Sequence, residues 1–157
     1  MGKRRRAREL ALQCLYLWDF HGPGDDEAEA AFRRENRGPE AAREFADQIV
    51  AGVKENQESI DELIVAQSRN WELHRMSRVD RNALRIAVFE FTRCPEIPPK
   101  VSIDEAIELG KKFGTTESGA FINGILDQIR LRVGKSINDP AEARRNDHDP
   151  DRDGDSV

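Results

Sequence analysis

Basic residues crowd the first eight positions of this chain. The cluster comprises Lys3, Arg4, Arg5, Arg6 and Arg8, with no acidic residue among them. The N-terminus of a helix already carries partial positive charge, so such a cluster does not stabilise a helix that begins there. The planar guanidinium group does match the oxygen atoms of phosphate. The cluster therefore predicts either a phosphate-binding patch or a solvated charged end.

The chain's only tyrosine shares a predicted helix face with two of these arginines. At about 100° per residue, Arg8 and Tyr16 fall about 60° and about 20° from Arg5. Single-stranded RNA is held by basic residues on its backbone and by aromatic rings on which bases stack. This face therefore favours RNA binding, and Tyr16 also suits a protein partner. Phe121, at the edge of the apolar stripe of the last predicted helix, is either a second aromatic contact or a partly buried core residue.

No set of residues predicts catalysis, a metal site or a cofactor. Cys14 and Cys94 are isolated from each other in sequence, which favours two ordinary buried thiols. Residues 149–154 match the first half of a calcium-binding loop but lack its final glutamate. We therefore expect a protein without enzymatic activity, metal or cofactor.

Charge is segregated along the chain. Residues 138–157 hold seven acidic residues and three arginines, so residues 1–137 carry only −1 of the formal net charge of −5. This acidic tail has almost no apolar residue, which predicts disorder. No apolar run is long enough to span a bilayer, and the N-terminus does not resemble a signal peptide. We expect a cytoplasmic protein.

Apolar residues recur at helical spacing over nearly the whole chain. The pattern predicts an all-α fold of about seven helices, at roughly 3–20, 26–34, 40–57, 59–67, 77–91, 102–113 and 118–133. Capping spacings place three of the helix starts at Ser59, Ser77 and Ser102. The helix that starts near Ser77 is apolar around so much of its circumference that we expect it at the centre. We predict one helical domain over residues 1–134 and a disordered acidic tail over 135–157.

Five ordered blocks of the sequence resemble the transcription antitermination factor NusB family. The blocks are ARELALQCLY at 7–16, AGVKEN at 51–56, VDRNALRIAVFEF at 79–91, IPPKVSIDEAIELGKKFG at 97–114 and ESGAFINGILDQI at 117–129. Residues 22–39 have no distinctive match. Gly110 stands where alanine is common, and we expect it to weaken its helix slightly.

The resemblance implies two three-helix bundles packed side by side. It implies binding of the boxA element of nascent RNA together with the ribosomal protein NusE, in the antitermination complex of RNA polymerase, notably on ribosomal RNA operons. The RNA-binding residues it implies are Arg4, Arg5, Arg6, Arg8, Tyr16 and Phe121. The residues it implies for the NusE surface are Tyr16 and Asp80.

Two other interpretations stay open at this point. One is a homodimeric helical scaffold that binds proteins and has no specific RNA function. The other is the RNA-targeting domain of a ribosomal RNA methyltransferase, although the chain length leaves no segment for a cofactor-binding fold. The resemblance also allows a homodimer formed through the RNA-binding surface, so the sequence leaves the oligomeric state open.

Overall fold

The computed structural model describes residues 2–21, 26–68 and 72–134, and within these ranges every regular element is helical. The α-helices are α1 (Lys3–His21), α2 (Glu27–Glu35), α3 (Glu40–Glu55), α4 (Gln57–Gln67), α5 (Arg78–Arg93), α6 (Pro99–Phe113) and α7 (Ser118–Gly134). A single turn of 3₁₀-helix, Leu73–Arg75, precedes α5. The predicted all-α class is confirmed. The acidic tail predicted over 135–157 lies outside the described residues.

Helix α5 is the centre of the fold, as predicted. All residues from 81 to 91 are buried. A helix can be buried around its whole circumference only if other helices surround it. Helices α1, α3, α4, α6 and α7 all pack against α5.

The remaining helices form two groups beside each other. Helix α1 packs against α2 and α3, which gives the first three-helix bundle. Helices α5, α6 and α7 pack against one another as the second, and α4 joins α5 and α7. Helix α1 also contacts α5 and α6, so it lies between the two bundles. Residues 7 to 12 of α1 are accordingly buried without interruption.

The predicted capping serines behave in different ways. Ser77 caps α5, because its Oγ accepts a 3.0 Å hydrogen bond from the backbone N–H of Asp80. The predicted start at Ser59 is wrong, since α4 begins two residues earlier, at Gln57. The predicted start at Ser102 is also wrong. Helix α6 begins at Pro99, where proline is well suited to the first helical position.

Two glycines allow helices to approach closely. A Cβ atom at Gly52 of α3 would lie 2.0 Å from Cε1 of Phe89 on α5. A Cβ atom at Gly110 of α6 would lie 2.6 Å from Cδ1 of Ile122 on α7. Gly110 therefore has a packing role between α6 and α7, in addition to the low helix propensity expected from the sequence.

Both cysteines are free and buried, as predicted. Burial raises the pKa of Cys14 and that of Cys94 to about 11. Both therefore remain protonated at neutral pH and are poor nucleophiles. Among the helices of the described residues, none combines the length and the apolar character needed to cross a membrane.

Candidate nucleic-acid interface

The four arginines that the sequence groups together have two different environments. The side chains of Arg4, Arg5 and Arg6 are 51%, 46% and 38% exposed. The side chain of Arg8 is only 5% exposed. Three arginines therefore face solvent at the start of α1, whereas the fourth points into the protein.

Arg8 is held by a buried carboxylate on α5. Its Nε and Nη2 donate hydrogen bonds of 2.7 and 3.1 Å to the two carboxylate oxygens of Glu90. The hydroxyl of Ser102 on α6 donates a 2.6 Å hydrogen bond to the same carboxylate. Buried charges are tolerated only when they are paired and hydrogen-bonded in this way. The RNA contact predicted for Arg8 would require this pair to break.

Arg5 forms a two-pronged ion pair at the protein surface. Its Nε and Nη2 donate hydrogen bonds of 3.0 and 2.8 Å to the carboxylate of Glu105 on α6. The hydrogen bond from Arg5 holds the pKa of Glu105 below its ordinary value, and Glu105 raises the pKa of Arg5. Both groups are therefore charged at neutral pH. Because Arg5 is solvent-exposed, water screens the pair, and a phosphate can compete with Glu105 for the guanidinium.

Arg4 and Arg6 have looser ionic partners. The shortest distance from Arg4 to Glu96 is 3.7 Å, and the shortest from Arg6 to Glu9 is 3.8 Å. Neither pair is within hydrogen-bonding distance. The guanidinium carbon of Arg4 also lies 4.5 Å from the centre of the Phe45 ring on α3. Arg4 and Arg6 are therefore the most available cations of the cluster.

Tyr16 lies beside an apolar groove rather than on a continuous arginine face. Its side chain is 39% exposed, but Leu12, which precedes it on the same helix face, is buried. The groove has a volume of about 440 Å³ and is lined by Leu12, Gln13, Tyr16, Leu17, Phe32, Val79 and Phe113. Eleven residues at about 1.5 Å each place Tyr16 roughly 16 Å along α1 from Arg5. The predicted face is thus divided into a basic end and an apolar end.

Asp80 lies at the start of α5, beside this apolar end. It follows Val79 of the groove wall, and its backbone N–H is capped by Ser77. Its Oδ1 is buried without a hydrogen-bond partner among the described residues. The structure therefore brings the two residues predicted for a partner surface, Tyr16 and Asp80, to one region.

A buried polar network fixes this end of α1 against α5. The carboxylate of Asp19 accepts hydrogen bonds of 2.8 Å from Arg81 and 3.0 Å from Asn82. Arg85 links Asp19, at 3.3 Å, to Asp61 on α4, at 2.8 Å. Burial alone would raise the pKa of Asp19, but the hydrogen bond and charge of Arg81 outweigh burial and lower it. Asp19 is therefore ionised at neutral pH and holds the groove walls in place.

Phe121 lies on another element. It is partly buried against the hydrophobic core, and α7 packs on α4, α5 and α6. It does not line the groove beside Tyr16. The structure thus gives Phe121 a packing role.

The acidic partners of Arg5 and Arg8 were missed in the sequence. One signal for them exists, because Glu90 interrupts the apolar run VFEF in a helix predicted to have little contact with water. A carboxylate in such a place needs a buried partner. Spacing does not identify that partner, which is 82 residues away in the chain.

The described residues contain no group of three or more His, Cys, Asp and Glu side chains arranged to hold a metal ion. The site offers cations, one exposed aromatic ring and an apolar groove. These groups suit the binding of a polyanion at one end of α1 and of an apolar partner surface at the other.

Comparison with known proteins gives a consistent result. The sequence profile of the NusB family matches residues 5–130. A protein from Desulfatibacillum aliphaticivorans named transcription antitermination protein NusB is 52% identical over 145 residues, which cover 92% of this chain and 100% of that protein. A protein of the same name from Myxococcus xanthus is 47% identical, over 86% of this chain and 99% of its own length.

Solved structures are similar as well. The T. maritima NusB structure superposes with a TM-score of 0.75 at 37% identity and covers 90% of this chain and 96% of its own. A structure of the antitermination factors NusB and NusE in complex with dsRNA superposes with a TM-score of 0.75 at 29% identity, over 84% of this chain and 98% of that one.

Proposed function

The chain belongs to the NusB family, and on that premise we propose that it is a transcription antitermination factor. It binds boxA-type single-stranded RNA together with the ribosomal protein NusE. The complex then promotes read-through by RNA polymerase, notably on ribosomal RNA operons. We further propose that it acts in the cytoplasm and catalyses no reaction.

The observation that carries this proposal is the set of exposed cations at the start of α1. Arg4, Arg5 and Arg6 face solvent, and none of the three has its own side chain buried in its ion pair, as Arg8 has with Glu90. Phosphate contacts of this kind supply most of the affinity of a protein for RNA. Arg8 contributes indirectly in this proposal, because it fixes α1 against α5 and so orients its neighbours.

NusE binds the other end of α1 in this proposal. The groove beside Tyr16 is apolar, and Asp80 follows Val79 of its wall at the start of α5. An apolar surface of this kind suits a protein partner better than a polyanion. Tyr16 remains available for base stacking where RNA and NusE meet, and Phe121 is a weaker candidate for an RNA contact.

A binding titration tests the division of α1 into two ends. Affinity for a boxA RNA and for a scrambled RNA is measured across a salt series, with and without NusE. Three phosphate contacts predict a log–log salt slope of about −2, at about 0.7 per phosphate for single strands. The Arg4→Gln/Arg6→Gln variant is expected to flatten this slope without weakening NusE binding. Tyr16→Ala is expected to weaken NusE binding and to leave the slope unchanged.

Equal and weak binding of boxA and scrambled RNA, unaffected by NusE, would contradict the proposal. A concentration-dependent dimer under those conditions would instead support the homodimeric scaffold. Sedimentation of the protein alone and with RNA distinguishes these cases.

Double-stranded RNA is a second candidate ligand, because one similar structure holds NusB and NusE with dsRNA. The same titration therefore includes a duplex of the boxA sequence. Tighter binding of the duplex than of the single strand would favour recognition by shape and backbone over base stacking.

A further inference from the structure

A second group of arginines surrounds a cavity between α1, α2 and α3. The cavity has a volume of about 170 Å³. Its floor is apolar and consists of Leu10, Cys14, Phe32, Ala46 and Val50. Its rim is polar and consists of Arg33, Arg34, Asn36, Arg37, Arg43 and Asp47. Four arginines therefore face one carboxylate around an apolar floor.

The only acid of the rim is occupied by one of these arginines. Arg33 pairs with Asp47 and with the buried Glu29. Arg34, Arg37 and Arg43 form no ion pair with any of the described residues. The cavity thus carries positive charge that the described part of the protein does not neutralise.

Arg43 has an unsatisfied donor next to this cavity. Its Nε is buried and has no hydrogen-bond partner among the described residues. Leaving a buried donor without a partner is unfavourable, and more so when the group is charged. Arg43 also lines the cavity, so an anion that contacts the accessible part of its guanidinium would offset this cost, and the feature points to a ligand.

The cavity is continuous with the basic end of α1. Gly38, in the loop between α2 and α3, has a left-handed φ of 66°. A Cβ atom built there would lie 3.5 Å from Leu10 of the cavity floor and 3.9 Å from Nε of Arg6. Arg6 therefore adjoins the cavity, and a strand of RNA on the exposed arginines of α1 would reach its rim.

We propose that this arginine-rimmed cavity binds one nucleotide of the single-stranded RNA that contacts α1. The phosphate lies against Arg34, Arg37 and Arg43, and the base lies on the apolar floor beside Phe32. The inference rests on the proposed RNA-binding function and extends it to a site on α2 and α3. The volume is below the roughly 300–1,000 Å³ of clefts that enclose a drug-sized ligand, which suits one base inside the cavity with its phosphate outside, on the rim.

The main test removes two cations that form no ion pair with the described residues. Arg34→Gln/Arg37→Gln is titrated with a twelve-nucleotide boxA RNA over a salt series, beside Arg4→Gln/Arg6→Gln. We expect each double variant to lose at least tenfold in affinity. The salt slope of each is expected to fall by about 1.4, at about 0.7 per lost phosphate contact.

A matched control removes the same charge elsewhere. Arg75 and Arg132 are exposed, form no ion pair with the described residues and lie outside the cavity. The Arg75→Gln/Arg132→Gln variant is expected to change the affinity less than threefold. If the cavity variant matches this control while the α1 variant is weakened, the cavity inference is wrong and the proposed function stands. If the wild-type protein binds no RNA, both the cavity inference and the proposed function are wrong. The titration of the wild-type protein shows this before any variant is measured.

Arg43 is tested by a substitution that keeps its charge. Lysine keeps the charge but has no planar fork, so Arg43→Lys is expected to lose several-fold in RNA affinity without a lower melting temperature. Affinity equal to that of the wild type would show that the cavity acts only through its net charge and would overturn the assigned contact.

Titration with small anions tests whether the cavity binds a nucleotide of RNA or a free anion. Inorganic phosphate and a nucleoside monophosphate are titrated into the wild-type protein and followed by the backbone amide resonances of Asn36 and Gly38. Binding in the high-millimolar range supports a site that acts as part of RNA. Saturable micromolar binding of either, lost in Arg34→Gln/Arg37→Gln, would overturn the RNA assignment in favour of a free-anion site.

Discussion

The arginines at the start of α1 and those around the α2–α3 cavity differ in how many of them are paired with acidic residues of the protein. In the first group, Arg8 is bound by the buried Glu90 and Arg5 by Glu105. In the second group, Arg34 and Arg37 have no acidic partner among the described residues. The α1 cluster is conspicuous in the sequence, whereas Arg33, Arg34 and Arg37 of the second group fall in the segment with no distinctive family match.

The contrast shows that arginine density does not measure the charge available to a ligand. Availability depends on counterions that other segments supply. Glu90 and Glu105 come from α5 and α6, far along the chain from the arginines they neutralise. Each prediction below removes or titrates one of these counterions.

Removal of the buried counterion is expected to have the largest effect. Glu90→Gln leaves the charge of Arg8 buried without its partner, a change that typically costs 3–5 kcal/mol. The free energy of unfolding, measured by urea denaturation, is expected to fall by about this amount. A loss below about 1 kcal/mol would show that Arg8 moves to solvent when released, which would place it with the available arginines.

The fold was more predictable from sequence than the site. The helices depend on residues close together in the chain, whereas the site depends on contacts between residues far apart in it. Apolar periodicity is local, so it gives the number of helices and the central position of α5. The helix starts at Ser59 and Ser102 were wrong for local reasons too. Proline at 99 begins α6 earlier, and the Ser102 hydroxyl binds Glu90 instead of a helix terminus.

The site residues depend on contacts that periodicity does not describe. A helical wheel places Arg5, Arg8 and Tyr16 on one face, but α1 lies between two bundles, and the middle of that face is buried. Which arginine remains exposed is decided by the packing of α5 and α6. The sequence therefore identified the arginine cluster but did not show which of its arginines are exposed and which are buried.

Release of Arg5 is expected to have an intermediate effect. Glu105→Gln removes the carboxylate that competes with phosphate, so affinity for single-stranded RNA is expected to rise about three- to tenfold, a gain of the size that one ordinary hydrogen bond provides. Fluorescence anisotropy measures it.

A neighbouring carboxylate provides the control for net charge. Asp104 precedes Glu105 on α6 and pairs with the exposed Lys100. Asp104→Asn removes the same charge without touching Arg5. An equal gain in both variants would mean that long-range repulsion, rather than competition for Arg5, explains the result.

The smallest expected effect is a pH dependence of this competition. In the free protein the hydrogen bond from Arg5 keeps the pKa of Glu105 below its ordinary value of 4.5. RNA that takes Arg5 away lets this pKa return towards that value, so the bound state holds more protons than the free state in the window just below pH 4.5. Affinity of the wild-type protein should therefore increase, relative to Glu105→Gln, as the pH falls through this window.

Titration of both proteins with one RNA cancels the effect of base protonation on the affinity. If the ratio of the two RNA affinities stays constant from pH 7 into the window, Arg5 remains paired with Glu105 when RNA binds. Arg5 would then resemble Arg8, as an arginine neutralised within the protein.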